Sequence, residues 1–443
     1  MSLSGGWEMV VGLEVHTELR TATKLFCGCL NSFGEEANTS VCPVCLGLPG
    51  SLPVLNRQAV ELAMRIGAAL HCTIQSSLFH RKNYFYPDMP KAYQISQYDV
   101  PINTAGWLEL PGGRRIGIER AHLEEDTGKS THVGGGGRIH GADYSLVDYN
   151  RAGVPLVEIV SAPDLRSAEE ARSYVDELRA ILVVVGASDG KMEEGSLRVD
   201  ANVSMRRGGH APFGTRCEIK NMNSLRSLGR AIDYEAARQV ELLEAGGTVV
   251  QQTRHWDEVA GTTNAMRSKE EAFDYRYFPE PDLVPVEPSA AWIEAVSAAL
   301  PPLPAARRAA VATASALPAD SDAVATVVRL DLDALVHAAA SSGVSPALAV
   351  KRLANEVASS IGLGAPLDAD AFVQLLAMED RGALTTAQAR TVLKTLVTDG
   401  GDPAKIAVAL GYEALEAGEL DGVVDQVIAE NPGEWTRFAA GED

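Results

Sequence analysis

Residues 10–19, VVGLEVHTEL, decide how the rest of the chain is read. Apolar and polar side chains alternate there, the period-two signature of a β-strand with two different faces. Leu13, Val15 and Leu19 fall on one face; Glu14, His16 and Glu18 fall on the other. Two carboxylates flanking a histidine are costly beside a core unless a cation or a charged substrate compensates them. Two readings stand at this point: an exposed edge strand with a polar outer side, or a strand whose acidic face binds something.

At 443 residues the chain exceeds one ordinary domain, so two to three are expected. Hydrophobic residues at 46% and charged residues at 22% describe a globular protein, and no apolar run reaches membrane-spanning length. The start, MSLSGGWEMVV, lacks the basic and apolar segments of a signal peptide, which predicts a cytoplasmic protein with no membrane attachment. A net charge of −20 argues against a uniformly basic nucleic-acid surface and leaves room for a local basic patch. Residues 293–443 hold 21 acids against 10 bases, a denser acidity than in residues 1–292, and this shift marks a first boundary. Six cysteines in such a chain do not read as a disulfide framework.

Four of those cysteines cluster as Cys27-x-Cys29 and Cys42-Pro-Val-Cys45, two close pairs joined by a short loop. Paired thiolates suit tetrahedral zinc, structural because all four positions are closed; buried free thiols or a redox pair are the alternatives. Residues 56–70 read as a helix capped by Asn56, with Val60, Ala63, Met64 and Leu70 apolar. The segment FHRKNYFYPDMPKAYQIS, residues 79–96, is either a tightly packed loop or a site-building one, and it carries Lys82, Tyr84, Tyr86 and Lys91. Gly128-Lys129-Ser130 imitates the end of a phosphate-binding loop, but Leu123 occupies the required glycine position. The adjacent acids Glu124, Glu125 and Asp126 instead suit a hard cation such as magnesium. The glycine run at 134–137 reads as a loop.

Glu158 interrupts an apolar strand-like run between Val157 and Ile159. A helix follows, with Ser167 and Glu170 as an expected capping box and Gly186 at its end. The clearest strand is 197–205, with Arg198 and Asp200 on its polar face; residues 215–220 repeat the pattern with Arg216, Glu218 and Lys220. Residues 225–245 form a second amphipathic helix, and 274–283 read as an extended stretch leaving the domain. From residue 293 the texture becomes alanine-rich and helical, with helices expected over 305–314, 322–341, 346–361, 368–377 and 386–398 and a further helical unit beginning at 415.

Several strands therefore share one design, an apolar face and a polar face bearing Glu14 and His16, Glu125, Glu158, or Arg198 and Asp200. A sheet covered by helices on one side gathers such faces into one cleft, and carboxylates with nearby bases are what nucleotide–magnesium chemistry requires.

The motifs VGLEVHTEL, CPVCLGLPG, RKNYFYPDMPKAYQIS, HLEEDTGKS, DYNRAGVPLVEIVS, KMEEGSLRVDANVS, KNMNSL and DYRYFPEPDL closely resemble the B subunits of bacterial aspartyl/glutamyl-tRNA(Asn/Gln) amidotransferases, over residues 9 to about 285. That resemblance implies an α+β fold: an antiparallel-sheet catalytic domain similar to glutamine synthetase and guanidino kinases, followed by an all-α domain. It implies a catalytic domain over 1–292 with an inserted zinc site, a helical domain over 293–411, and at 412–443 the start of an incomplete helical tail domain. Partners would be an amidase A subunit, a small C subunit, and misacylated tRNA(Gln), tRNA(Asn) or both. The implied reaction is ATP- and magnesium-dependent phosphorylation of the side-chain carboxylate of the tRNA-bound Glu or Asp, then displacement of phosphate by ammonia. Glu14, His16, Glu125, Glu158 and Asp200 match the family's metal and phosphoryl-transfer site. Lys82 and Lys91 match its ammonia route, and Cys27, Cys29, Cys42 and Cys45 match the zinc site of some members. A small-molecule kinase or ligase on the same fold is the alternative, and a zinc-bearing RNA-binding scaffold a third reading.

Overall fold

The computed structural model describes residues 4–134, 141–266, 275–359, 367–412 and 417–439. Residues 135–137 of the glycine run, residue 274 of the extended stretch and residues 360–361, 415–416 and 440–443 of the expected helices therefore lie outside the described residues. The chain divides into two compact units, Met1–Ala305 and Ala306–Asp443.

The strands of the first unit are β1 (Trp7–Glu18), β2 (Thr73–Ile74), β3 (His80–Asn83), β4 (Tyr93–Ser96), β5 (Asn103–Glu109), β6 (Arg115–Glu125) and β7 (Lys129–Val133), then β8 (Tyr144–Asp148), β9 (Pro155–Ser161), β10 (Leu197–Arg207), β11 (Cys217–Lys220), β12 (Gln252–Asp257), β13 (Thr262–Ala265) and β14 (Phe278–Pro279). Its helices are α1 (Arg57–Ala69), α2 (Ala168–Val184), α3 (Leu225–Glu244) and α4 (Ala290–Ala298). All the strands except β7 and β8 form one sheet, ordered β13-β12-β11-β10-β1-β9-β6-β4-β3-β14, with β5 and β2 branching from β6. Its pairings are antiparallel apart from β11 with β12.

β1 is not an edge strand. It pairs with β10 from Trp7↔Arg207 to Thr17↔Leu197 and with β9 from Glu14↔Val160 to Glu18↔Leu156, so both of its backbone sides are hydrogen-bonded. Its apolar side chains Val11, Leu13 and Val15 join Val199, Ala201, Ile159 and Leu123 under α1, α2 and α3, against Ile66, Tyr174, Leu178, Leu228 and Ile232. Burying each large aliphatic side chain contributes about 1.5–3 kcal/mol, enough to fix which face of β1 turns inward. The opposite face is left for polar side chains.

The expected helix starts hold. Asn56 caps α1 by accepting from Gln58 N at 2.9 Å, and Ser167 caps α2 by accepting from Glu170 N at 3.1 Å. The reciprocal half of the α2 box is displaced, because Glu170 Oε2 accepts from Arg166 N at 2.7 Å, one residue before the cap. The aromatic segment 79–96 is not a loop throughout: it supplies the antiparallel pair β3 and β4. The stretch expected to leave the domain returns to it as β14, adding an edge strand on β3, where a proline costs no internal ladder bond.

The second unit holds α5 (Pro304–Ser315) from Ala306 onward, then α6 (Asp322–Arg329), α7 (Asp333–Ser341), α8 (Pro346–Arg352), α9 (Ala369–Asp380), α10 (Thr386–Asp399), α11 (Pro403–Ala409), α12 (Ala417–Glu430) and α13 (Pro432–Ala439). The single helix expected over 322–341 is two helices, because Asp331 takes φ +56° and a left-handed residue cannot continue an α-helix. The helix begun at Pro346 passes into a wider π turn at Leu353–Val357. Arg352, 1% exposed, is paired there with Glu379 and, at 3.0 Å, with Glu356.

Asn103 ties α1 to the sheet, donating to Ala63 O at 2.9 Å and Ala121 O at 3.0 Å. A Cβ on Gly67 would fall 1.9 Å from Asn103 Oδ1. Gly67→Ala is therefore expected to destabilise the first unit by about 1–3 kcal/mol despite alanine's better helix propensity. Denaturant unfolding checks this, and an unchanged midpoint would contradict it.

Candidate functional site on the open face of the sheet

Strand register sets the site. His16 on β1 stands opposite Glu158 on β9, which stands opposite His122 on β6, so one row crosses three strands on the face away from the helices. Glu14 stands opposite Asp200 in the next row, and Glu124 follows His122 two residues along β6. His16 Nε2 lies 3.5 Å from Glu158 Oε2 and 3.8 Å from Glu124 Oε1. One donor atom from each of these three residues lies within 4.8 Å of the others, an arrangement that could hold a metal ion. Arg120 Nη2 approaches Glu158 Oε1 at 3.8 Å.

The charges in this row are strongly coupled. Burial alone would lower His16, but the hydrogen bond and charge of Glu158, with Glu124, outweigh it and push the imidazole up to about 9. Burial, reinforced by Glu158, pushes Glu124 up to about 7. Burial works to raise Glu158 as well, yet His122, His16 and Arg120 hold its carboxyl below the usual carboxylate range. His122 is pushed down to about 4 by burial, against the pull of Glu158, so its ring is neutral.

Two flanking groups share the face. On one side Glu14 accepts from Asn202 Nδ2 at 3.0 Å, and Lys220 Nζ bridges Asp200 at 2.5 Å and Glu218 at 2.8 Å. On the other, Asp126 accepts from Arg198 Nη2 at 2.8 Å with Arg151 Nε 3.5 Å away. Glu18 belongs to this second group: burial, then the neighbouring Asp126, pushes it up to about 8.

Of the residues singled out in the sequence, Glu14, His16, Glu158 and Asp200 thus meet on one face. Glu125 does not join them. It lies 2% exposed on the other side of β6, accepting from Ile95 N at 2.8 Å and pairing with the buried Lys91. The carboxylate that stands with His16 and Glu158 is Glu124. Lys82 stays on the open face, its Nζ 4.7 Å from the centre of the Tyr275 ring. Lys91 and Glu125 instead line a cavity of about 210 Å³ together with Phe26, Cys45, Tyr93 and Ile95.

Beside that cavity the sulfurs of Cys27, Cys29, Cys42 and Cys45 lie within 4.8 Å of one another. Four converging sulfurs fit a thiophilic tetrahedral cation such as zinc. Lys24 Nζ, 3.9 Å from Cys45 Sγ, adds a positive charge; Cys45 is pulled down to about 5, first by its hydrogen bond with Cys27.

An α+β enzyme whose sheet turns a face of carboxylates and imidazoles to the outside is the class that this fold and site define. The model of the GatB/GatE catalytic domain matches residues 9–294, and that of the GatB domain matches residues 335–443. A relative from Frankia casuarinae, the B subunit of an aspartyl/glutamyl-tRNA(Asn/Gln) amidotransferase, is 52% identical, with 96% of this chain and 87% of the relative aligned. Proteins of the same description from Carboxydothermus hydrogenoformans and Caldanaerobacter subterraneus are 48% and 46% identical, covering 96% and 99% of this chain and 90% and 93% of their own. The chain belongs to the GatB/GatE family of amidotransferase subunits, ligase-type enzymes.

Sequence reading did not bring out His122 and Arg120. The cause is a bulge in β6 between Ile118 and Arg120. Ile116 and Ile118 face the core before it, Ala121 and Leu123 after it, so the alternation changes phase within one strand. Read as a motif, Arg120-x-His122-x-Glu124 keeps perfect period two, and that is the signal available.

Replacing both Cys42 and Cys45 with serine leaves two of the four sulfurs. The expected outcome is loss of bound zinc by elemental analysis and a lower unfolding temperature; unchanged zinc content would contradict the reading.

Proposed function

We propose that this chain is the subunit of a tRNA-dependent amidotransferase that activates the substrate carboxylate with ATP. The side-chain carboxylate of Glu or Asp misacylated on tRNA(Gln) or tRNA(Asn) attacks the γ-phosphorus, giving an acyl phosphate and ADP. Ammonia then attacks the acyl carbon, phosphate departs and the surplus proton is lost, leaving an amide. A carboxylate is a poor electrophile, and this activation is what makes it reactive toward a weak nucleophile.

The observation that carries the reading is the single sheet face on which Glu14, His16, Glu124, Glu158 and Asp200 stand among Arg120, Lys82, Lys220 and Arg198. The donor set fits magnesium, with His16, Glu124 and Glu158 to hold it and Glu14 and Asp200 alongside. When bound, such a cation neutralises phosphate oxygens and lets two anions approach. Arg120 and Lys220 keep the surrounding carboxylates paired, and Arg198, oriented by Asp126, is positioned at the rim to meet an anionic group.

The further assignments extend this proposal. Ammonia comes from an amidase subunit and passes Lys91 and Lys82 on a route that keeps it from water and protonation, a role that the buried Lys91 beside a cavity supports. A small third subunit completes the assembly. Residues 1–292 carry the chemistry in a fold akin to glutamine synthetase and guanidino kinases, to which the mostly antiparallel sheet with helices on one face lends support. Residues 293–443 serve tRNA, and zinc at the four cysteines is structural. The setting is the cytoplasm; no helix among the described residues is long and apolar enough to cross a membrane.

The test is ATP hydrolysis by the chain assembled with an amidase and a small subunit. Hydrolysis should require Glu-tRNA(Gln) or Asp-tRNA(Asn), and Asp200→Ala should lower it roughly 100-fold or more while the circular dichroism spectrum is unchanged. Equal hydrolysis with free glutamate would favour a small-molecule kinase, and full activity of Asp200→Ala would remove that residue from the site.

A further inference from the structure

Residues 19–56, between β1 and α1, hold neither helix nor strand, and the four cysteines lie within them. A cation at the cysteines accounts for how such a segment keeps one shape. What the segment closes on is the buried pair of Lys91 and Glu125. Phe26, the neighbour of Cys27, places its ring centre 5.9 Å from Lys91 Nζ and is itself held edge-on by Phe79, 5.5 Å between ring centres. Gly47, two residues after Cys45, takes φ +66° and packs on the lysine stem. A Cβ there would stand 3.1 Å from both Cα and Cβ of Lys91 and closer still to its Cγ. Cys45 flanks the carboxylate: a Cβ on Gly153, at φ +84°, would lie 3.5 Å from Cys45 Cβ and 3.9 Å from Glu125 Oε2. One glycine thus separates the cysteine from the ion pair.

The sheet supplies the other side of the enclosure. The Tyr93 ring centre is 5.1 Å from Lys91 Nζ, and Ile95 N donates to Glu125 at 2.8 Å. A buried ion pair is sound only while its geometry is fixed and its lone pairs are satisfied. Here much of that geometry hangs on the cysteine loops. The Cys42–Gly47 turn is short and bonded within itself, Leu46 N donating to Cys42 O at 3.1 Å and Gly47 N to Val44 O at 3.0 Å, so it moves as one piece with Cys42 and Cys45. The buried Lys24 fastens that piece to its surroundings, reaching Cys45 Sγ at 3.9 Å and Ser40 O at 2.8 Å.

We propose that the cysteine cluster and the Lys91–Glu125 pair form one coupled unit, in which zinc at the four cysteines holds Phe26 and Gly47 against Lys91 and keeps the cavity closed around the pair. This rests on the reading of the four cysteines as a zinc site. Phe26 and Gly47 are positioning residues: neither offers the metal a donor, and each acts through Lys91. Such a coupling is reciprocal, so a change at Lys91 must also loosen the zinc. In the proposed reaction, zinc occupancy then decides whether the route past Lys91 stays dry.

The experiment uses the zinc-loaded full chain and two readouts: transfer of zinc to a colorimetric chelator, and acetylation of individual lysines followed by mass spectrometry, with the exposed Lys129 as reference. Lys91→Met should speed zinc transfer about 10-fold, with Lys91→Arg in its place should the first variant fail to fold. Gly47→Ala should retain its zinc yet raise acetylation of Lys91 several-fold while Lys129 is unchanged; Phe26→Leu replaces it if circular dichroism shows misfolding. Stripping zinc from the wild type should raise Lys91 acetylation in the same way. Wild-type zinc transfer in the folded Lys91 variant, or unchanged Lys91 acetylation in the folded Gly47 or Phe26 variant or in the stripped wild type, would overturn the proposal and leave the zinc site standing. A wild type that binds no zinc would remove both.

Discussion

The structure depends on how one half-buried carboxylate, Glu158, is tolerated in the middle of a sheet. An isolated carboxylate in such a place would take up a proton rather than stay charged. Here β1 brings the protonated His16 against it, and β6 brings His122 and the guanidinium of Arg120, so the charge is kept. The same register that pairs the strands therefore pairs the charges. Moving either neighbour by one residue would turn every polar side chain of that strand into the core and take from Glu158 the partner that strand supplies.

β6 shows how much this arrangement asks of a single strand. Its last two residues are both glutamates and both buried, yet they serve opposite sides of the sheet. Glu124 faces the imidazoles on the open side; Glu125 faces Lys91, the cavity and the cysteine cluster on the other. The sheet thus separates two buried polar environments by one strand's thickness. In the proposed reaction the first would activate a carboxylate and the second would admit ammonia.

Much of this was legible in the sequence. Alternation in VVGLEVHTEL places Glu14 and His16 on the correct face, and the capping signals at Asn56 and Ser167 locate two of the covering helices. The part that alternation could not deliver has a physical cause in each case. The bulge after Ile118 reverses the phase of β6, so Glu124 and not Glu125 stands with His16, and His122 is carried into the row. The left-handed backbone of Asp331 divides a helix whose apolar periodicity runs on without a break. The return of residues 278–279 to the sheet edge is a long-range pairing that no local pattern encodes.

The central claim is that the substrate's side-chain carboxylate is phosphorylated on this face. It is tested most directly by placing a heavy oxygen isotope in the side-chain carboxylate of Glu-tRNA(Gln) and following it through one turnover of the assembled enzyme. Activation through an acyl phosphate must leave one labelled oxygen on the inorganic phosphate released with the amide. Phosphate free of the label, alongside normal amide formation, would contradict the account.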